Sequence, residues 1–138
     1  MLIDATNMIL GRMATVIAKK ALLGESIDVI NCENVLITGN KVRIFQDYMQ
    51  KRNRGAPLKG PYYPRQPDRI VRRTIRGMLP YKQEKGEKAF DRVMCYVGVP
   101  DKFKGQKIDT VKEADISKVP NLKYVKLGAV IKNFGVKL

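Results

Sequence analysis

An α/β fold, with a mostly parallel sheet of about four strands flanked by helices, follows from three features of this sequence. Short β-branched runs alternate with segments of helical period, the order expected when strands are joined by crossover helices. The chain of 138 residues fits one domain and can bury about two-thirds of its unfolded surface. Its hydrophobic fraction of 44% is that of a globular protein. These features predict one domain over residues 1–138, with a basic loop and helix inserted at 51–88.

Leu2-Ile3-Asp4 is a short first strand. Leu10, Met13, Ala14, Ile17 and Ala21 then recur at helical spacing, and the pattern stops at Gly24, a C-terminal cap. Ile27 to Asn31 is β-branched and extended, and Val35-Leu36-Ile37-Thr38 follows after a break at Glu33-Asn34. Gly39-Asn40 opens a helix whose apolar positions are Val42, Phe45, Tyr48 and Met49. Asn53 to Pro67 carries four of the seven prolines (Pro57, Pro61, Pro64, Pro67) with Gly55 and Gly60, so it is neither helix nor central strand. A loop this long inside a compact domain is functional or disordered. Asp68, as N-cap, starts a helix that runs to Leu79 and ends at Pro80. Val93 to Val97 is the last strong strand, and Leu127 to Phe134 is a short helix stopped by Gly135.

Charge divides the chain by role. There are 27 Lys and Arg against 13 Asp and Glu, a net charge of +14. Residues 1–50 are balanced, residues 51–88 carry +9 and residues 89–138 carry +5. The first third is scaffold and the middle third is the contact surface, and a field of this sign points to a polyanionic partner. On the helix after Pro67, Arg69, Arg72, Arg73 and Arg76 fall within an arc of about 100°, opposite Val71, Ile75 and Met78. A solvated face normally mixes signs, whereas the sole acid within reach here is Asp68. Arginine presents a planar fork matched to phosphate, so this face is expected to contact nucleic acid. Removing one of its arginines should relieve like-charge repulsion and leave stability intact. In the preceding loop Arg54, Lys59 and Arg65 surround Tyr62 and Tyr63, a mixture suited to RNA, where rings stack on splayed bases. The alternative is a loop whose tyrosines pack back on the domain.

Catalysis finds little support. The chain has no His, which removes Cys2His2 zinc sites and His-dependent triads and dyads. It has no Gly-x-Gly-x-x-Gly and no Gly-x-x-x-x-Gly-Lys-Ser/Thr. Gly39-Asn40-Lys41 is a fragment of a phosphate loop without its upstream glycine, and Gly11-Arg12 opens a helix whose N–H groups suit a phosphate. Neither of the two serines, Ser26 and Ser117, has a base beside it, and Asp4, Glu33 and Asp47 cannot be paired from sequence. Cys32 and Cys95 lie far apart among apolar neighbours, as small core residues kept reduced, with a reactive or bridging pair as the alternative. The longest apolar run, Val93 to Val99, is far below the roughly 20 residues of a membrane span. Asp4 and Arg12 interrupt what would otherwise resemble a secretory leader. No catalytic residue, metal, cofactor, small-molecule substrate or membrane partner is expected. The rival to an RNA-binding protein is a nucleotide-dependent or RNA-modifying enzyme on a Rossmann-like sheet, and it lacks the cofactor-phosphate loop.

Several motifs carry a resemblance. Ile75-Arg76-Gly77-Met78-Leu79-Pro80 followed by Gly86 and the strand Val93 to Gly98 resembles the signature of large-subunit ribosomal protein family thirteen. Asp4-Ala5 with Leu10-Gly11-Arg12-Met13-Ala14, and Val29-Ile30-Asn31-Cys32-Glu33 leading to Thr38-Gly39-Asn40-Lys41, are similar to that family's opening. Lys51-Arg52-Asn53-Arg54-Gly55, Gly60 to Arg65 and Pro67 to Arg73 resemble its archaeal and eukaryotic branch, and the short C-terminus favours the archaeal form. The resemblance is collinear over residues 2–134. It implies a three-layer α/β fold around a parallel sheet, a cytoplasmic place in the ribosome, binding to large-subunit rRNA beside neighbouring ribosomal proteins, early entry into subunit assembly, and no enzymatic activity. Lys126 and Ala129 depart from the pattern, standing where the last helix should have a small hydroxyl residue and an acid, so its N-cap is poorer. Charge and resemblance together nominate Arg12, Lys41, Lys51, Arg52, Arg54, Lys59, Tyr62, Tyr63, Arg65, Arg69, Arg72, Arg73, Arg76 and Lys82 as RNA contacts.

Overall fold

The computed structural model describes residues 1–56, 58–120 and 123–136. In chain order the elements are β1 (Leu2–Asp4), α1 (Leu10–Leu22), β2 (Ile27–Ile30), β3 (Leu36–Thr38), α2 (Lys41–Asn53), α3 (Pro67–Gly77), α4 (Glu84–Asp91), β4 (Val93–Cys95), β5 (Tyr124–Lys126) and α5 (Leu127–Lys132). The strands β1, β2 and β4 form a parallel sheet in that order, with Leu2 opposite Asp28 and Ile27 opposite Val93.

The parallel sheet thus has three strands among the described residues, not about four. The expected fourth strand, β3, pairs antiparallel with β5 in a separate two-stranded sheet, Leu36 opposite Lys126. The cause is local. Asn31 takes a left-handed conformation (φ 56°) and Cys32–Asn34 coil into a 3-10 turn, which redirects the chain as it leaves β2. The partner strand β5 has a lysine at its end and no alternating run that would announce it.

Strand alternation sends Ile3, Ile27, Val29, Val93 and Cys95 to one face of the parallel sheet, where they join the main core with residues of α1, α3 and α4. Residues of α1, α3 and α4 share this core, and α1 packs against α3 and α4. Leu2 and Ile30 face the other way and meet Phe103 and Tyr96 in a small second cluster. The 3-10 turn Asp101–Phe103 supplies Phe103 to that side.

The helices follow their sequence signals with adjustments. In α1 the buried residues Leu10, Met13, Ala14, Ile17, Ala18 and Ala21 form the predicted stripe, and Gly24 ends it at φ 105°. The side chain of Asn40 caps α2, accepting from the Val42 N–H at 2.9 Å. The apolar stripe of α2 is rotated from the expected one: Ile44 is buried, Phe45, Tyr48 and Met49 are half-buried, and Val42 is 63% exposed. Helix α3 starts one residue early, with Gln66 as N-cap and Pro67 at the first helical position, where its missing N–H costs nothing. Asp68 therefore lies in the first turn and is not the cap, and the helix ends at Gly77. The segment between Pro80 and Val93, for which the sequence predicts no element, contains α4, which buries Gly86 and Ala89. The helix α5 stops at Lys132, before the expected Phe134, and its N-cap Lys126 makes no capping hydrogen bond from its side chain.

Cys32 and Cys95 are buried and unbridged. A hydrogen bond with Cys95, reinforced by burial, pushes the Cys32 thiol up, so it holds no nucleophilic thiolate.

Asp4 joins the ends of β1 and β2. Its carboxylate accepts from the Thr6 N–H (2.9 Å), the Thr6 hydroxyl (2.7 Å) and the Asn31 amide (3.0 Å). Burial raises its pKa, but these hydrogen bonds outweigh it and hold the carboxyl below the usual carboxylate range. Asp4→Ala should lose about 1–3 kcal/mol in urea unfolding at neutral pH. Because the folded pKa is depressed, the contribution is present above the unfolded pKa and lost as pH falls through the folded one. The gap between wild type and variant should therefore close below about pH 4.

Candidate nucleic-acid interface

The loop between α2 and α3 is folded on itself. Gly55 sits at φ 98°, and a Cβ there would lie 2.2 Å from the Gly60 carbonyl oxygen, so only glycine fits. Ala56 and Gly60 form an antiparallel bridge across the turn. Pro57, one of the four prolines of the loop, lies outside the described residues.

The adjacent tyrosines have different roles. Tyr63 packs edge-on against Tyr48 of α2, ring centroids 6.3 Å apart, with the Arg73 guanidinium 4.9 Å from its own centroid. Burial, and then Tyr63, pushes the Tyr48 hydroxyl up to about 12. Burial likewise raises Tyr63, against the opposing pull of Arg73. Both phenols are thus neutral hydrogen-bonding groups at physiological pH. Tyr62 is 70% exposed, and its backbone carbonyl accepts from Arg73 Nη1 at 3.4 Å. Packing on the domain describes Tyr63, whereas Tyr62 is turned outward.

Helix α3 buries Ile70, Val71 and Ile75 and turns its arginines outward. Three of the four lie over aromatic rings: Arg72 over Phe90 (4.3 Å), Arg73 over Tyr63 (4.9 Å) and Arg76 over Tyr81 (5.0 Å). Arg69 is the exposed member. Among the described residues the three ion pairs involve Lys20, Lys88 and Lys104 and no arginine. Asp68 is in none of these ion pairs, and its Oδ1 and Arg72 Nε are both buried without a hydrogen-bond partner. The rings fix the guanidinium planes before any ligand arrives, which lowers the ordering cost of binding an oxyanion.

Stacking also alters the expected stability effects. Arg72→Ala should cost about 1–2 kcal/mol in thermal or urea unfolding, because it uncovers Phe90 as well as removing a charge. Arg69→Ala should stay within about 0.5 kcal/mol of wild type, the outcome that the charge pattern alone predicts for every member of the face.

The basic side chains line connected concavities. Arg69, Arg72, Arg73 and Arg76, with Tyr62, Pro64 and Phe90, line an open concavity of about 290 Å³. Behind α3, Lys51, Arg54, Pro61, Tyr63, Arg73 and Thr74 line one of about 370 Å³. A third, about 600 Å³, shares Lys51, Tyr63 and Thr74 with it and reaches Arg12 at the start of α1. Arg65 and Arg52 line the loop's own cavity beside Arg54 and Tyr62. Arg52 is half-buried, its guanidinium 5.8 Å from the Phe134 ring centroid and its Nη1 3.9 Å from Met49 Sδ. Lys41, Lys59 and Lys82 are exposed and line none of these cavities. The structure therefore brings eleven of the fourteen nominated residues together, and it adds Tyr48, Thr74, Phe90 and Tyr81. Tyr81, five residues after Arg76, was open to detection from sequence. Phe90 meets Arg72 only through the packing of α4.

At Gly39-Asn40-Lys41 the Asn40 side chain is committed to capping α2, and Gly39 at φ 132° faces the Ile44 side chain. Among the described residues no group of three or more His, Cys, Asp or Glu is placed to hold a metal ion, and no helix is long and apolar enough to cross a membrane.

A small parallel sheet with helices packed on it, one of them carrying an arginine face held on aromatic rings, defines a class: a basic α/β protein. The family model described as Ribosomal protein L13 matches residues 1–102, and the chain belongs to that family, in its archaeal form. It is 47% identical over 138 residues to a protein of Methanopyrus kandleri, covering 99% of this chain and 87% of the relative. It is 42% identical over 135 residues to one of Methanococcoides burtonii (98% and 97%) and 43% identical over 136 residues to one of Archaeoglobus fulgidus (98% and 87%). Each of these relatives is named large ribosomal subunit protein uL13.

Proposed function

We propose that the protein is a structural constituent of the large ribosomal subunit, in the cytoplasm, where it binds and stabilises folded large-subunit rRNA beside neighbouring ribosomal proteins. It joins early in assembly, when RNA segments must be drawn together against their own charge. The observation that carries this reading is the arginine face of α3, held on Phe90, Tyr63 and Tyr81 with no arginine in an ion pair among the described residues. Such a face is mildly self-repelling until a polyanion covers it, and phosphate contacts position a protein on RNA without reading sequence.

The test is binding of the purified protein to a large-subunit rRNA fragment across a salt series. Each of Arg69→Ala, Arg72→Ala, Arg73→Ala and Arg76→Ala should lower the slope of log affinity against log salt by about one unit. The wild type should sediment with large subunits at moderate salt and be released at high salt. A slope unchanged in all four variants would remove the face from the RNA interface.

A further inference from the structure

We infer that Tyr62 is the seat for one unpaired nucleobase, so that this surface prefers RNA with a base turned out of the stack over RNA that is fully paired. The inference rests on the RNA-binding reading and adds the kind of RNA it selects. Tyr63, Phe90 and Tyr81 carry guanidiniums of this chain over their rings. Tyr62 is the most exposed of the aromatic residues, at 70%. Its position is nonetheless fixed. The Tyr62 carbonyl accepts from Arg73 Nη1, and one edge of its ring lies against Gly60, where a Cβ would stand 3.2 Å from Cδ2 and Cε2. Pro61 and Pro64 flank the tyrosine pair and restrict the backbone on both sides. A ring held in this way loses little freedom when a ligand covers it.

An exposed flat ring suits a flat ligand, and the surrounding charge selects which. Tyr62 lines the concavity of about 290 Å³ with the arginines of α3. It also lines one of about 510 Å³ with Arg65 and Arg69, and the loop's own with Arg52 and Arg54. The ring thus stands where the basic concavities meet, and a base stacked on it leaves the phosphates before and after it among guanidiniums. Within a duplex, neighbouring pairs cover both faces of every base. Only a base that has left the stack offers a face to the ring. Every base has such a face, so the seat distinguishes unpaired from paired RNA and not one sequence from another.

The test compares three RNA hairpins with one stem: fully paired, with one bulged nucleotide, and with the same bulge made abasic, which keeps the extra phosphate and removes the base. Titration of the whole protein at moderate salt reads the affinity for each. Wild type should bind the bulged hairpin about tenfold more tightly than either of the others. Tyr62→Ala should bind the bulged and abasic hairpins alike. Tyr62→Phe, which keeps the ring, and Tyr124→Ala, which removes an exposed ring on β5, should retain the preference. The salt slope of Tyr62→Ala should equal that of wild type, because no cation is lost. Free adenosine should not compete. If wild type binds the bulged and abasic hairpins alike, or Tyr62→Ala retains the preference, the seat is overturned and RNA binding stands. A lowered slope in Tyr62→Ala would overturn it too, since the ring would then serve only to place the arginines. Competition by adenosine would make the site a nucleoside pocket and overturn it as an RNA seat. If wild type binds none of the hairpins saturably, the RNA-binding reading itself fails.

Discussion

Gly86→Ala is expected to cost about 3 kcal/mol and to lower the melting temperature by roughly 10 °C. A Cβ at Gly86 would stand 2.1 Å from the Pro80 carbonyl oxygen, 2.3 Å from its carbon and 2.8 Å from the Tyr81 nitrogen. All three are backbone atoms, so no side-chain rotation clears the space. The turn before α4 must move, or α4 must shift from its seat against α1 and β4. The same shift carries Phe90 away from Arg72, so RNA affinity should fall with stability. Gly77 is the control within the same motif. It has nothing within 4 Å of an added Cβ and does not require a left-handed backbone. Gly77→Ala should be neutral or stabilising by up to about 1 kcal/mol, because alanine is the better helix former. Thermal melts followed by circular dichroism separate the two, and equal losses would refute the steric account.

The quadruple variant Arg69→Gln, Arg72→Gln, Arg73→Gln, Arg76→Gln is expected to bind large-subunit rRNA about a hundredfold more weakly at physiological salt. Non-specific binding through six to ten phosphate contacts corresponds to roughly 0.8 kcal/mol per contact, so four contacts amount to about 3 kcal/mol. The salt slope should fall by about four units. Glutamine retains a good helix propensity and much of the packing on Phe90, Tyr63 and Tyr81, so the variant should remain folded. Titration against an rRNA fragment at several salt concentrations gives both numbers. Weakened affinity with an unchanged slope would mean that the helix acts through shape and not through phosphate neutralisation.

What each level decides is clear at particular residues. The apolar stripe of α1 and its stop at Gly24 were readable because a single helix against a core imposes its own period. The arginine arc on α3 was readable for the same reason, as was the concentration of charge in residues 51–88. The family motifs placed the chain among ribosomal proteins before any contact was known, and the match over residues 1–102 with the archaeal relatives bears this out. The phase of α2 was not readable. Its apolar residues span more than one stripe, and only contacts with α5 and β5 choose Ile44 over Val42. Likewise β3 has the composition of a sheet strand, but a left-handed Asn31 and a short 3-10 turn send it to β5 instead of β1, β2 and β4. Two neighbouring tyrosines have identical chemistry in sequence, and only the approach of Tyr48 and Arg73 buries one and leaves the other outward. Period and charge are properties of a segment and are written in it. Strand partners and ring-on-cation stacking depend on which distant segments meet, so they exist only in the folded chain.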